Sequence, residues 1–312
     1  MNKTKKIISI LLAAAMFACT LILLCCCDPY IDVHINGLYA VLDTSSNTAS
    51  IYGFDKDSSV GAYEPQECVV PSIIYYNDKE YTVTELTDNG YERELVVGGH
   101  VKKLVIAETV TEINLFGFSV TDTFDYLEEI EVHKNNESYA SLDGVLYSKD
   151  YLTLIMYPPA KRDTTMYINR GVSEIYESYW NYCNKYVERV SVEEGNVVFS
   201  EVDGVLLSNS GTRLEYVPYG HDSVLELPDG VRTIGRLSLR YASIEHMYIP
   251  DSVYEVEYAN SAYYNPLRYV TNLYFENESP MWIVGISEYL QEVHKGVSRE
   301  EFQQLAVKPL QI

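Results

Sequence analysis

Short phrases with apolar residues at their first, fourth and sixth positions recur along the chain. Val101-Lys102-Lys103-Leu104-Val105-Ile106 is the first. Leu127–Val132, Val187–Val192, Ile244–Ile249 and Val270–Phe275 repeat the spacing, and Met166-Tyr167-Ile168 and Leu225-Glu226-Leu227 match its end. The last two apolar positions are two apart, so they share one face of a strand and the residue between them faces the other way. Each phrase therefore predicts a short strand. A second short element follows several of them: Val110–Ile113, Val172–Ile175, Val231–Ile234 and Val253–Val256. Turn residues such as Pro228-Asp229-Gly230 and Pro250-Asp251-Ser252 stand before two of these.

The outward residue between the paired apolar positions serves as a ruler: Val105, Glu131, Tyr167, Ser191, Glu226, Tyr248 and Tyr274. Successive spacings along it are 26, 36, 24, 35, 22 and 26. Four lie near two dozen, inside the roughly 20–29 of a leucine-rich coil. The two long spacings each hold one copy of a duplicated stretch, Leu142-Asp143-Gly144-Val145-Leu146-Tyr147-Ser148 and Val202-Asp203-Gly204-Val205-Leu206-Leu207-Ser208. The offset from Asp143 to Asp203 is that of one long coil and one short coil together. Each copy reads as a hairpin inserted into a coil: a strand Val145–Ser148, a turn at Lys149–Leu152, and Thr153–Tyr157 stopped by Pro158. In this reading the Gly supplies an unusual backbone conformation and the Asp satisfies nearby amides.

Upstream, His34–Leu42 and Thr48–Phe54 predict two strands around a polar Thr44–Asn47 turn. Val69–Tyr76 and Tyr81–Leu86 predict another pair joined through Asn77-Asp78-Lys79. Residues 28–98 read as a β-rich N-terminal cap, which a solenoid needs because its first coil would otherwise expose apolar core. Residues 99–290 then form the repeat solenoid, and 291–312 a C-terminal strand, helix and strand. Ser298-Arg299-Glu300-Glu301 is a capping box, with Phe302 and Leu305 as the apolar side of the short helix. Leu310-Gln311-Ile312 completes the cap as a last strand.

Residues 1–27 differ in kind. Lys3, Lys5 and Lys6 precede the uncharged run Ile7–Leu24, the pattern of an export signal. The run ends in Cys25-Cys26-Cys27, which resembles a bacterial lipoprotein signal whose cysteine is lipidated. Cys19, preceded by Ala18, is the other candidate attachment site, and an uncleaved membrane anchor is the alternative. Cys68 and Cys183, far apart in the chain, read as buried small apolar residues rather than a bridge.

The formal net charge is −22, and removal of the three lysines takes it to −25. Such a surface repels phosphate backbones, so nucleic acid is not an expected partner. Tyrosine is abundant, 29 residues against 8 phenylalanines, which suits a thin fold in which rings are buried and hydroxyls stay wet. None of the six histidines pairs with another at metal-ligand spacing, and no nucleophile elbow, phosphate loop or dinucleotide fingerprint is present. Asp55–Ser59 falls short of a calcium loop, its Gly61 coming one place late. Neither catalytic residues, a metal nor a cofactor is expected.

The phrases Met247-Tyr248-Ile249-Pro250-Asp251-Ser252-Val253 and Leu142–Asp150 resemble the BspA-like leucine-rich-repeat family of bacterial surface proteins. Gly37-Leu38-Tyr39 and Lys79–Val83 resemble that family's N-terminal cap, and Val293–Ser298 through Phe302 its closing strand and helix. The chain departs where the family carries Ala-Phe after each second element: Ser178–Cys183 has bulkier rings there, and Leu115–Phe118 and Leu237–Arg240 are looser. The resemblance implies a solenoid of irregular coils and inserted β-hairpins, exported and held at the cell surface. It also implies non-catalytic binding or adhesion to a host or neighbouring-cell protein or glycan, with a structural envelope spacer and a surface hydrolase as rivals. The expected partner face is the ruler stripe, with Lys103, Glu129, Arg189, His246 and Asn272 beside it.

Overall fold

The computed structural model describes residues 29–54, 66–87, 101–114, 126–176, 184–257, 266–276 and 292–306. The signal segment with its four cysteines, Cys183, the Asp55–Ser59 loop, the Leu115–Phe118 and Ser178–Cys183 phrases and Leu310–Ile312 lie outside them.

The chain enters through a hairpin the hydrophobic pattern did not resolve. Strand β1 (Tyr30–Ile35) and strand β2 (Leu38–Asp43) are antiparallel, with Ile35 opposite Leu38. The span His34–Leu42 is therefore two strands. Asn36 and Gly37 between them have φ of 51° and 78°, both left-handed, as the tight turn that matches strand twist requires. Strand β3 (Thr48–Phe54) pairs with β2. Strand β4 (Gln66–Val70) is separated from β5 (Ile73–Tyr76) by Pro71, which has no N–H to give a ladder. Val69–Tyr76 is thus not one strand. A second left-handed pair, Asn77-Asp78, turns β5 into β6 (Lys79–Thr87).

From β4 onward parallel strands line up in two rows. Strand β7 (Val101–Ile106) lies between β4 and β9 (Glu129–Val132), while the short β8 (Glu112–Asn114) pairs with β6. The main row therefore starts at β4, and the second row at β6. The apolar spacing explains both: Val101, Leu104 and Ile106 are all buried, as are Val110 and Leu86 from the second row, in one shared core. Burying each such side chain is worth about 1.5–3 kcal/mol.

Each duplicated stretch is a three-stranded meander, not a two-stranded hairpin. The first comprises β10 (Tyr139–Leu142), β11 (Val145–Ser148) and β12 (Thr153–Met156). Strand β13 (Thr165–Ile168) resumes the main row, and β14 (Glu174–Ile175) pairs in parallel with β12. Strand β15 (Arg189–Val192) lies beside β13. The second copy, β16 (Phe199–Val202), β17 (Val205–Ser208) and β18 (Arg213–Tyr216), repeats the meander with the same bulge. The strands absent from the sequence reading are β10 and β16, which carry little apolar patterning. Between them and the next strands stand Asp143-Gly144 and Asp203-Gly204, with φ of 50° and 78°, and of 51° and 84°. Asp as well as Gly takes the left-handed conformation, which Asp tolerates better than most residues.

These turns interrupt the main row. Ile130 of β9 donates its N–H to the Gly144 carbonyl at 2.9 Å, and Val190 of β15 donates to Gly204 at 2.8 Å. The ladder bonds that would have reached the next coil end on the insert instead. A buried asparagine anchors each insert. The Asn136 amide donates to the Ala107 and Val110 carbonyls, both at 2.8 Å, and its oxygen accepts from the amides of Ser138 at 2.9 Å and Tyr139 at 2.7 Å. Asn196, at the corresponding place in the second copy, repeats the pattern with Asn169, Val172, Val198 and Phe199.

The last part is uninterrupted. Strands β19 (Val224–Glu226), β21 (His246–Ile249), β23 (Asn272–Phe275) and β24 (Glu292–Lys295) form one parallel ladder; β20 (Thr233–Ile234) and β22 (Glu255–Val256) extend the second row from β18. Helix α1 (Arg299–Ala306) follows. Its capping box is formed: the Ser298 amide and hydroxyl donate to the Glu301 carboxylate at 2.9 and 2.8 Å. Phe302 is buried, but Leu305 is 55 % exposed, so the helix docks through one large side chain rather than two. Cys68, half-buried on β4, is unbridged, and burial pushes its thiol up to about 11.

Candidate interaction faces

The register carries out the ruler pairwise. Val105 lies beside Glu131, Tyr167 beside Ser191, and Glu226, Tyr248 and Tyr274 stand in a row. Two further members extend it. Val69 precedes Val105 at the start, and His294 follows Tyr274 at the end. The signal for Val69 was available: Val69-Val70-Pro71 has the strand-then-proline form of Tyr248-Ile249-Pro250.

The stripe is not one open face. Tyr248 and Tyr274 are 0 % and 6 % exposed, because α1 lies over them. The Phe302 ring centroid is 5.4 Å from that of Tyr248 and 5.1 Å from that of Tyr274. Arg299 sits over the Tyr248 ring at 5.0 Å, pairs with Glu226 and Asp229, and donates to the Leu227 carbonyl at 3.1 Å. Gln303 also holds the Glu226 carboxylate, at 3.0 Å. Burial, then the Glu276 carboxylate, pushes the Tyr248 phenol up to about 12. His246 Nδ1 lies 3.1 Å from the Tyr274 hydroxyl, and His294 stacks on the Tyr274 ring at 4.5 Å. Glu226, Tyr248 and Tyr274 therefore build the seat of the C-terminal helix, with His246 beside it against Tyr274, and the two buried tyrosines do not present a surface to a partner.

The part of the stripe that does face solvent runs from β4 to β15. Tyr167 is its most prominent member, 66 % exposed. Glu131 is exposed and Val105 and Ser191 half-exposed. Lys103 spans Glu131 at 2.6 Å and Glu129 at 3.2 Å, and the two carboxylates, Glu131 first, hold its ammonium above the ordinary lysine range. Arg189 stands exposed two positions before Ser191. Asn272, the remaining neighbour, donates to the Glu245 carbonyl at 3.2 Å, at the covered end.

A cleft of about 100 Å³ lies elsewhere, lined by Ile175, Phe199, Arg213, Glu215, Gly235, Arg236 and Leu237. It is smaller than the roughly 300–1,000 Å³ of small-molecule sites. Of its two arginines, Arg213 is already engaged: it grips the Glu257 carboxylate with bonds of 3.1 and 2.6 Å and also pairs with Glu215. The Arg213 guanidinium in turn holds the Glu257 carboxyl below its usual range. Among the described residues no three His, Cys, Asp or Glu side chains are gathered as metal ligands would be.

No family model and no curated protein matches the chain. Solved structures do. A leucine-rich cell surface protein from Faecalibacterium prausnitzii is 12 % identical over 89 % of this chain and 98 % of its own, with a TM-score of 0.32. The pneumococcal vaccine antigen PcpA is 13 % identical over 87 % and 89 %, with a TM-score of 0.39. A leucine-rich-repeat protein from Eubacterium ventriosum is 15 % identical over 79 % and 72 %, with a TM-score of 0.40. The chain is similar to bacterial leucine-rich-repeat surface proteins, the family that its own strand and turn phrases resemble.

Proposed function

We propose that this protein is an exported, surface-held leucine-rich-repeat solenoid that works by non-catalytic binding, presenting coils of its main row to a protein or glycan on another cell. Its β-rich start acts as a cap and its C-terminal helix as the opposite seal. The observation that supports the reading is the alignment of Val69, Val105, Glu131, Tyr167 and Ser191 on open parallel strands. They stand in two groups, Val69, Val105 and Glu131 before the first insert and Tyr167 and Ser191 after it, and stacked units that offer in-register side chains suit extended partners better than small substrates. Tyrosine, with its large ring and few rotatable bonds, contributes most at such surfaces. The N-terminal run supplies the tether through one of Cys25, Cys26, Cys27 or Cys19.

The test uses the full chain displayed on cells. Tyr167→Ser combined with Glu131→Lys is expected to reduce attachment to partner cells about tenfold, because a central aromatic anchor is worth about 1–2 kcal/mol. The thermal midpoint should hardly move, since both residues are exposed. Attachment equal to that of the native chain would favour a spacer or binding through a different face. For the tether, incorporation of labelled fatty acid is expected to vanish when the one lipidated cysteine among these four is changed to serine; labelling that survives with all four changed would overturn it.

A further inference from the structure

A helix that only closed the last coil would lie beside β24, at the end of the ladder. Helix α1 instead folds back along the outward face of the main row. Its side chains meet β23, β21 and β19, up to three strands before β24. Phe302 lies over Tyr274 and Tyr248, and Arg299 and Gln303 reach Glu226. This contact is separate from the core. Tyr248, Tyr274 and Phe302 form a small cluster of their own with Val224 and Val297, while Met247, Ile249, Leu273 and Phe275 point the other way into the main core. Release of the helix therefore strips no residue of that core.

The attachment is weak for the area it covers. The helix has eight residues, and isolated helices shorter than about 12–15 residues are marginal in water, so an undocked α1 melts. Among the described residues Phe302 is its one buried side chain. Arg299 and Glu226 are half-exposed and Asp229 is exposed, so water and salt screen their pairing. Docking also buries the Tyr248 hydroxyl without a hydrogen-bond partner among the described residues, although Glu276 is near enough to raise its pKa. A buried hydroxyl left unpaired opposes docking, because water would satisfy it once the helix left. What the helix hides is the aromatic end of the row: two of the three ruler tyrosines, with His294 stacked on the second.

We propose that α1 is an autoinhibitory cover on the partner-binding row. Docked, it withholds Tyr248 and Tyr274; released, it adds the segment from β19 to β24 to the open one that carries Tyr167. The proposal rests on the reading of the row as a binding face and adds its regulation. A partner that contacts the uncovered tyrosines draws the equilibrium toward release, and its apparent affinity is lowered by the small fraction of molecules already open.

The test uses the full chain displayed on cells. Phe302→Asp removes the anchor, and Arg299→Glu with Gln303→Glu, which sets new carboxylates against Glu226 and Asp229, is a second route to release should the first fail to fold. Release is read by hydrogen exchange at α1, including the Phe302 amide that donates to the Ser298 carbonyl at 3.0 Å, with the β21 and β23 amides still protected. Attachment to partner cells is expected to rise about tenfold in a released variant, and to return to the native level when Tyr248→Ser and Tyr274→Ser are added. A released helix with attachment unchanged or lowered would make α1 a seal and nothing more. Protection of α1 that persists in both variants, or is lost only together with β21 and β23, would show that it does not detach. A gain that survives the two tyrosine changes, or extends equally to cells the native chain ignores, would also overturn the proposal. Released variants that match the native chain while Tyr167→Ser with Glu131→Lys loses attachment would remove the cover alone; attachment indifferent to every one of these variants would count against the binding row itself.

Discussion

Replacing Asn136 by alanine tests the account of how the inserts are held. The side chain is fully buried and makes four hydrogen bonds of 2.7–2.9 Å, two given and two received. A hydrogen bond of this kind contributes about 1 kcal/mol net, and a buried partner left unsatisfied costs about 1–3 kcal/mol. The Val110 carbonyl is within the core and has no route to water, whereas the Ser138 and Tyr139 amides lie nearer the surface and can recover some solvation. The expected loss is therefore about 3–4 kcal/mol. It is read as the fall in urea midpoint multiplied by the slope, against Asn135→Ala, an exposed neighbour expected within about 0.5 kcal/mol of native. Asn196→Ala should match Asn136→Ala within about 1 kcal/mol, because the four bonds recur there. Asn136→Asp keeps both acceptor roles but loses both donors and sets a carboxylate against two carbonyls. It should cost at least as much at pH 7 and less below the carboxyl's pKa, where an O–H can donate. A loss under about 1 kcal/mol for Asn136→Ala would refute the claim that this side chain fixes the insert.

Phe302→Ala should cost about 3–5 kcal/mol and expose Tyr248 and Tyr274, seen as a larger change in tyrosine accessibility to a diffusing quencher than in the native chain. Gly144→Ala and Gly204→Ala both force a side chain into the left-handed region, at about 1–2 kcal/mol. Gly204→Ala should be the worse in thermal melts, because its new carbon would lie 2.8 Å from Arg189 Cβ, against 3.2 Å from Glu129 Cγ at Gly144. Glu257 has a lowered carboxyl pKa because of Arg213, so its contribution is present above its unfolded value near 4.5 and disappears as pH falls through the folded one. The urea midpoint of Glu257→Gln should lie below native at pH 7, and the gap should close toward pH 3; a constant gap would contradict the ion-pair account.

Most of the strand system was legible because period-two burial leaves a direct trace. Val101, Leu104 and Ile106 have to be apolar to meet the second row, and the same spacing recurred often enough to set a ruler. Three features were less accessible for different reasons. The Asn36-Gly37 turn was present as a dipeptide, but the apolar Leu38–Leu42 that follows outweighed it and drew His34–Leu42 into one strand. Strands β10 and β16 lack period-two burial: Ala140 alone is buried, while Tyr139 and Phe199 pack against the core only in part. The covering of Tyr248 and Tyr274 depends on a helix that begins only at Arg299, a whole coil further on, and strand alternation cannot tell a solvent face from one on which a later element docks. The clue was Phe302 itself: the one ring on this short helix needs a seat, and the aromatic end of the stripe is where it finds one. The echo of Asn136 in Asn196, at the same offset as Asp143 and Asp203, was also readable and would have extended the duplicated stretch upstream.

The turns at Asp143-Gly144 and Asp203-Gly204 also bear on what happens to an incomplete chain. A parallel strand with bare N–H groups is a template for any other strand, which is how nascent or clipped repeat proteins aggregate. Here Ile130 and Val190 have already given their hydrogens to a glycine carbonyl of the following insert. When synthesis or proteolysis stops just past either insert, the main row ends on a blunted edge instead of an adhesive one. Blocks one long coil and one short coil in length could then be gained or lost by recombination without creating a raw edge at the join.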